Sequence, residues 1–344
     1  MPPITTPVEY EAAGGWMAIE DEAAKPGRVL LTGWFSFLDG EVTAGDALAL
    51  RRVRACLDHL GIPYDVAWSA GYRPDALDLS EAAGNLYTHL VFLCGPAHGP
   101  QVEELHRSFP SCVRIAVGTS VIDGSAPAVT GFHHVLSRDA PGGVRPLRDL
   151  AAAAPTGPGA PVVGVVLTHG QGEYAGARRH AEVAATLTRW LAAKDCACLE
   201  LTTRLDAHDW RLCTTAGQFE SVVSRLDLVV TDRLHGLVLA LRAGVPALAV
   251  DPVAGGAKVS AQARALSWPA TLGAGQCVRA ELDRWWSWCL GDGRNLAERR
   301  RQEFLGARFH DTRDDGTAGL ARVLSTAAWP EGRRERTSDA RSGP

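Results

Sequence analysis

Apolar residues along this chain recur in two rhythms. Short aliphatic runs at 28–34, 64–68, 88–94 and 113–118 alternate with segments whose apolar positions fall at helical spacing. Leu48, Val53, Leu57 and Leu60 lie on one side of a predicted helix over 47–60 that Gly61 closes, and a second helix is expected around 102–109. A further strand is expected near 134–137. Strands alternating with helices predict a parallel, doubly wound sheet. The rhythm breaks at 151–161, Ala-Ala-Ala-Ala-Pro-Thr-Gly-Pro-Gly-Ala-Pro, which has a linker's composition. It then restarts with a strand at 162–167, a glycine-bearing loop at 168–176 and a strong helix at 177–194. A strand at 198–201, a short helix at 218–224 and a strand at 226–230 follow. Leu234, Val238 and Leu241 then fall at helical spacing, with Gly244 as the stop, before another buried strand at 245–250. Helices are expected at 258–266 and 281–290, with helical character over 295–328.

The fold class this predicts is α/β, with two Rossmann-like doubly wound domains at 27–150 and 162–292 joined by the linker 151–161. Residues 1–26 read as a flexible lead. Residues 293–329 read as C-terminal helices that could cross back to the first domain, and 330–344 as a charged, disordered tail. A chain of 344 residues suits two cores rather than one. The formal charge, 35 − 39 = −4, carries no basic surplus, so a nucleic-acid partner is not expected. No apolar run is long enough to cross a bilayer, and residues 1–22 lack a secretory pattern. Of the eight cysteines only Cys196 and Cys198 lie close, and there is no CxxC. Neither a zinc site nor a redox motif is therefore written here, and reduced thiols in a cytoplasmic enzyme are expected.

Thr231-Asp232-Arg233-Leu234-His235-Gly236 lies where the strand at 226–230 hands over to a helix. In open α/β sheets ligands bind in that crevice, and the helix N-terminus favours anions. Arg is a permanent bidentate partner for carboxylate or phosphate, and His can exchange a proton near neutral pH. At a strand-to-helix turn Arg233 and His235 can face one crevice while Leu234 packs inward. For an isolated Arg-x-His, the plainer alternative is a surface pair between Arg233 and Asp232 with His235 capping the helix.

The context favours chemistry. Asp232-Arg233-Leu234-His235-Gly236, followed by Ala240, Gly244, Pro246, Asp251 and Lys258-Val259, resembles the polysaccharide pyruvyl transferase family. Gly33-Trp34-Phe35, Gly45-Asp46-Ala47-Leu48 and Ser137-Arg138-Asp139 resemble that family's first domain more weakly. The resemblance implies a cytoplasmic transferase with two GT-B-like domains facing a central cleft, the first binding acceptor and the second donor. Phosphoenolpyruvate would be a co-substrate, with no cofactor and no metal, and its enolpyruvyl carbons would pass to a sugar as a pyruvate ketal with release of phosphate. On this pattern His235 is the general acid. Arg233, Leu234, His235, Gly236, Lys258, His169 and Arg204 form the donor site. Two positions depart from the family. Cys94-Gly95-Pro96 stands where many members carry three glycines. Leu167-Thr168-His169-Gly170 ends a strand that often ends near an Arg, for which His169, Arg178, Arg179 or Arg204 could substitute.

On the acceptor side, Asp39, Asp46 and His98 could bind sugar hydroxyls, although the two acids could equally cap the helix beginning near Ala47. Gly170-Gln171-Gly172 could cradle a phosphate. Trp285, Trp286 and Trp288 suit core packing better than a sugar platform, and His133-His134 suits packing or surface. The expected partners are a small donor and a sugar-containing acceptor. Peripheral contact with a lipid-linked acceptor, and the oligomeric state, are left open. Two alternatives stand beside this expectation. One is a GT-B-type glycosyltransferase using a nucleotide sugar. The other is a catalytically altered homologue that binds an anionic metabolite or a partner.

Overall fold

The computed structural model describes residues 27–83, 87–142, 145–168, 175–306 and 316–326. The lead 1–26, His169 with the Gly170–Gly172 loop, and the tail 330–344 lie outside the described residues. The chain divides into two units, Met1–Gly157 and Pro158–Pro344, and each is an α/β layer structure.

In the first unit β1 (Val29–Gly33) is followed by α1 (Ala44–Leu60), β2 (Tyr64–Val66), α2 (Leu79–Ala83) and β3 (His89–Leu93). Then come α3 (Pro100–Ser108), β4 (Val113–Ser120), α4 (Pro127–Thr130) and β5 (His134–Asp139). The five strands pair in parallel in the order β2-β1-β3-β4-β5. Alternate residues feed different cores. Leu30, Leu90 and Phe92 pack with Val102, Leu105 and Phe132 on one face, while Leu31, Val91 and Leu93 pack with Ala49 and Leu50 on the other. Burial on both faces is why these strands read as continuous apolar runs.

Two details shape this unit's carboxyl edge. Cys94 and Gly95 follow β3 in the left-handed region, with φ of 59° and 61°. For the cysteine that backbone costs about 1–2 kcal/mol. The Trp34 indole lies against Gly95, where a Cβ would approach its Cδ1 to 2.2 Å, and Trp34 Nε1 donates to Pro96 O at 3.0 Å. The turn therefore follows a glycine-like path through Cys94 as well as Gly95. The alanine run after Leu150 is also ordered. Residues Leu150–Ala153 form a 3₁₀ turn packed against α1, with Asp149 Oδ1 accepting from Ala151 N at 2.8 Å. Arg51 donates to Pro155 O at 3.3 Å, so part of the expected linker 151–161 is held by the first unit.

The second unit runs β6 (Val162–Val166), α5 (His180–Ala192), β7 (Ala197–Glu200), α6 (Ala216–Val223), β8 (Leu228–Thr231) and α7 (Leu234–Arg242). It continues with β9 (Ala247–Asp251), α8 (Lys258–Ala265), β10 (Thr271–Gly273), α9 (Arg279–Leu290), α10 (Asp292–Gly306) and α11 (Thr317–Thr326). Its parallel sheet has the order β10-β9-β8-β6-β7. β8 and β9 are buried along their whole length, whereas β7 is an exposed edge. The tryptophans pack as a cluster: Trp288 meets Trp268 and Trp285 at 5.3 and 5.5 Å, and Trp286 meets Trp190 at 5.4 Å.

Three expectations change. β10 is absent from the sequence pattern, because three residues show no period. α5 begins at His180 rather than at 177, because residues 177–179 pair with the loop after β9. Among the described residues of the helical stretch 295–328 there are two helices, α10 and α11, and α10 packs on α7 and α9. No helix among the described residues is long and apolar enough to cross a membrane.

A glycine pair tests this packing. Gly217 lies in α6 with open space around it, so Gly217→Ala is expected to stabilise by about 0.5–1 kcal/mol. Gly95→Ala should destabilise by about 1–3 kcal/mol, through a strained φ and the clash with Trp34. Thermal unfolding followed by circular dichroism checks both; equal effects would overturn the contrast.

Candidate active site

The turn from β8 to α7 is built by a hydroxyl and a missing side chain. Thr231 Oγ1 donates to Val166 O of β6 at 2.8 Å and accepts from Arg233 N at 3.0 Å. That hydroxyl occupies the space where Gly236 would carry a side chain, since a Cβ there would lie 2.1 Å from it. Arg233 is the extended residue that precedes the helix (φ −111°, ψ 138°), and its carbonyl accepts the first helical bond from Leu237 N at 3.2 Å. Its side chain makes no cap. Arg233 is half-buried, His235 is exposed in the first turn, and Leu234 is half-buried rather than fully packed inward. The Arg233 guanidinium has no hydrogen-bond or ion-pair partner among the described residues.

Asp232 is not the surface partner of Arg233 that the plainer alternative supposes. It is 1% exposed, and its Oδ1 accepts from Thr168 Oγ1 at 2.9 Å. Burial pushes its carboxyl above the ordinary value. Hydrogen bonding from Thr168 and the positive charges of His180 and Arg233 oppose that shift.

Asp251, at the end of β9, is fully buried and gathers three backbone donors. Oδ1 accepts from Val253 N at 3.1 Å, and Oδ2 accepts from Ala257 N at 2.6 Å and Ser260 N at 2.8 Å. This folds residues 252–257 back and satisfies donors at the start of α8, whose first residue is Lys258. The same loop pairs with the segment before α5. Arg179 N donates to Pro252 O and Ala254 N to Ala177 O, each at 2.8 Å, and Arg178 bridges Val253. Arg178 Nε is buried without a partner among the described residues.

Helices α5, α7 and α8 therefore all start at the carboxyl edge of adjacent strands, among Arg178, Arg179, Arg233, His235 and Lys258. Helix N-termini and guanidinium groups both favour oxyanions. Beside the start of α8 lies a cavity of about 510 Å³ lined by Gly255, Gly256, Ser260, Trp268, Thr271 and Gln276, among others.

Other expected residues have other tasks or places. Arg204 is exposed and pairs with Asp206 at 2.5 Å. Asp46 Oδ2 accepts from Thr43 N at 3.3 Å and from Thr43 Oγ1 at 2.8 Å, which makes it half of a capping box on α1. Asp39 and His98 are exposed in loops of the first unit. Arg138 is committed within that unit, to Asp139 at 2.9 Å, Asp149 at 2.6 Å and Ser120 at 2.8 Å. Asp232 and His180 do not stand out in the sequence as site residues. The available signal is a polar residue continuing a buried strand, and a histidine at a helix start just after Arg178-Arg179.

Residues 203–252 match the family model described as polysaccharide pyruvyl transferase, a transferase family, and that segment holds Arg233, His235 and Asp251. No curated protein sequence matches the chain. Solved structures match over most of it at low identity. The calicheamicin glycosyltransferase CalG4 is 15% identical over 89% of this chain and 100% of its own, with a TM-score of 0.32. The UDP-GlcNAc 2-epimerase of Methanocaldococcus jannaschii, solved with UDP-GlcNAc and UDP, is 9% identical over 81% and 99%, at 0.29. The E. coli heptosyltransferase WaaC with ADP is 12% identical over 79% and 99%, at 0.24. Likenesses this weak carry no argument about substrate or reaction.

Two substitutions test the local build. Gly236→Ala is expected to destabilise the second unit by about 1–3 kcal/mol or more, read as a fall in its unfolding midpoint. For Asp232 the sign follows from linkage. A carboxyl whose folded value is raised imposes no penalty below its unfolded value; the penalty accrues as pH rises from that value towards the folded one and is constant above it. Asp232→Asn should therefore gain stability relative to the parent as pH rises above the ordinary carboxylate value of 3.8, with the gain levelling off above the raised folded value. A difference that stays flat across that range would show the carboxyl is not strained by burial.

Proposed function

We propose that the chain is a pyruvyl transferase that takes phosphoenolpyruvate as donor and a sugar-containing diol as acceptor. The observation that carries this is the unpartnered Arg233 guanidinium at the N-terminus of α7, inside the matched segment and among other cations. Phosphoenolpyruvate presents a carboxylate and a phosphate. Arg233 is suited to the planar carboxylate or to a phosphate edge, and Lys258 to the remaining charge. The methylene carbon must gain a proton to become the ketal's methyl group. His235, exposed at the same turn, is the general acid in this scheme. Protonation leaves a cationic carbon that one acceptor hydroxyl attacks. Phosphate then departs, the second hydroxyl closes the ketal, and the two hydroxyl protons balance the one added to carbon and the one that leaves with phosphate. Arg233 orients the donor and offsets charge on the departing phosphate. The donor is a cytoplasmic metabolite, which is consistent with the cytoplasmic location expected from the sequence.

A nucleotide-sugar donor is the second reading. The cavity beside α8 favours it, because about 510 Å³ falls in the range of sites for larger ligands and exceeds the needs of a three-carbon phosphate.

The test is phosphate release from phosphoenolpyruvate across a panel of glycosides and nucleotide- or lipid-linked sugars. Acceptor-dependent release is expected. His235→Gln should lower kcat by about 10²–10⁴-fold, and Arg233→Ala should lower kcat/KM by about 10²–10³-fold, with unchanged unfolding midpoints. No release with any acceptor, together with thermal stabilisation by a nucleoside diphosphate, would replace this function by glycosyl transfer.

A further inference from the structure

At the edge of the second sheet two thiols face each other. Cys196 Sγ and Cys198 Sγ lie 3.6 Å apart, one thiol donating to the other. Cys198 belongs to β7 and Cys196 directly precedes it, so the alternation of an extended chain turns both side chains to one side. On that side is a cavity of about 510 Å³, which Cys196, Cys198 and Glu200 line together with Val165, Leu167 and Leu191. β7 is an edge strand whose one neighbour is β6, and it is exposed along its length. Cys198 is exposed and Cys196 half-buried. Solvent therefore reaches one sulfur directly and the other through a cavity large enough for a small molecule.

The other thiols differ. Cys94, Cys112 and Cys289 are buried, and burial pushes each of them up, which leaves them poor nucleophiles. Cys196 is pushed up as well, by burial first and then by its hydrogen bond with Cys198. Cys198 has the exposure that a first nucleophile needs, and Cys196 has the proximity that a second one needs. Backbone spacing says what sort of bond the two sulfurs would make. Residues two apart in an extended chain have Cα atoms about 6.6 Å apart. A disulfide spans about 4.4–6.8 Å, so this pair stands near the upper limit. Ala197 pairs with Val162 and Cys198 with Val163, and that pairing resists contraction of the strand. Strained, exposed disulfides are the readily reduced ones.

We propose that Cys196 and Cys198 form a reversible dithiol–disulfide site, open at rest and closed by a low-molecular-weight disulfide. The Cys198 thiolate attacks one sulfur of that disulfide, breaks its S–S bond and expels one small thiolate, which takes up the proton that Cys198 gave up. Cys196 then loses its proton and attacks Cys198 Sγ in the mixed disulfide. The Cys196–Cys198 bond forms, and the second small thiolate leaves with that proton. Two cysteine thiols are oxidised while one small disulfide is reduced to two thiols. The site does not depend on the reaction proposed for the Arg233 turn.

Thiol trapping on the full chain tests this. The folded protein is equilibrated with mixtures of oxidised and reduced glutathione, quenched with acid, alkylated under denaturing conditions and digested with trypsin. Residues 195–204 form one tryptic peptide, in which Cys196 and Cys198 are the two cysteines. With oxidised glutathione in excess, the peptide should lose the mass of two hydrogen atoms and resist alkylation. Excess reduced glutathione should restore both thiols. Cys196→Ser should stop at a glutathione adduct on Cys198, and Cys198→Ser should leave Cys196 open to alkylation. A parent chain that keeps the adduct on Cys198 without closing overturns the pairing. A peptide that stays reduced in the folded chain, yet closes once urea unfolds it, overturns the site, because the fold then holds the sulfurs apart. Closure that survives excess reduced glutathione overturns its reversibility.

Discussion

The buried carboxylate of Asp251 is the contact on which this edge of the second unit depends. It is completely removed from water, and hydrogen bonds from three backbone donors compensate for that removal. Those donors span residues 253–260, so one side chain decides both the path of the loop after β9 and the orientation of α8. The loop then pairs with residues 177–179, and this sets where α5 begins. Arg178, His180 and Lys258, distant in sequence, are brought to one edge by a single acid that sits below them. Asp251 serves this unit by shaping backbone.

Charge at this edge follows a consistent logic. Three helix starts and several long basic side chains raise the local positive potential, which costs stability while the site is empty. Placing Asp232 under them, with one oxygen fixed by Thr168 and the other uncommitted, offsets part of that cost. A fixed carboxylate would also oppose an anionic ligand. Burial weakens that opposition, because it raises the carboxyl's affinity for a proton.

Much of the fold is readable in the chain. Apolar runs such as Val29–Gly33 and Ala247–Asp251 are continuous because both faces of each sheet are covered, and Gly61 and Gly244 mark helix ends as their chemistry predicts. What cannot be read is pairing between remote segments. Nothing local in Arg178-Arg179-His180 says that residues 177–179 lie along a loop more than seventy positions away, so helical spacing alone starts α5 too early. Asp46 looks equally suited to cap or to bind, and only the Thr43 contact shows it capping. At the site, Arg233 and His235 are visible as residue types. Asp232 passes for a surface acid, because its burial depends on β6 lying beside β8.

Division of labour explains why the short residues of the turn tolerate so little change. Thr231 fills the space that Gly236 leaves, and together they fix the backbone between strand and helix to within a hydroxyl's width. Asp232, one residue on, lies under the turn and is anchored by Thr168. The turn's geometry is therefore complete without Arg233 or His235, whose side chains contribute no bond to it. Side chains that hold nothing in the resting fold can commit their donors to a ligand without unfolding anything. A rigid turn carrying two long, uncommitted side chains also loses less entropy on binding than a flexible loop would.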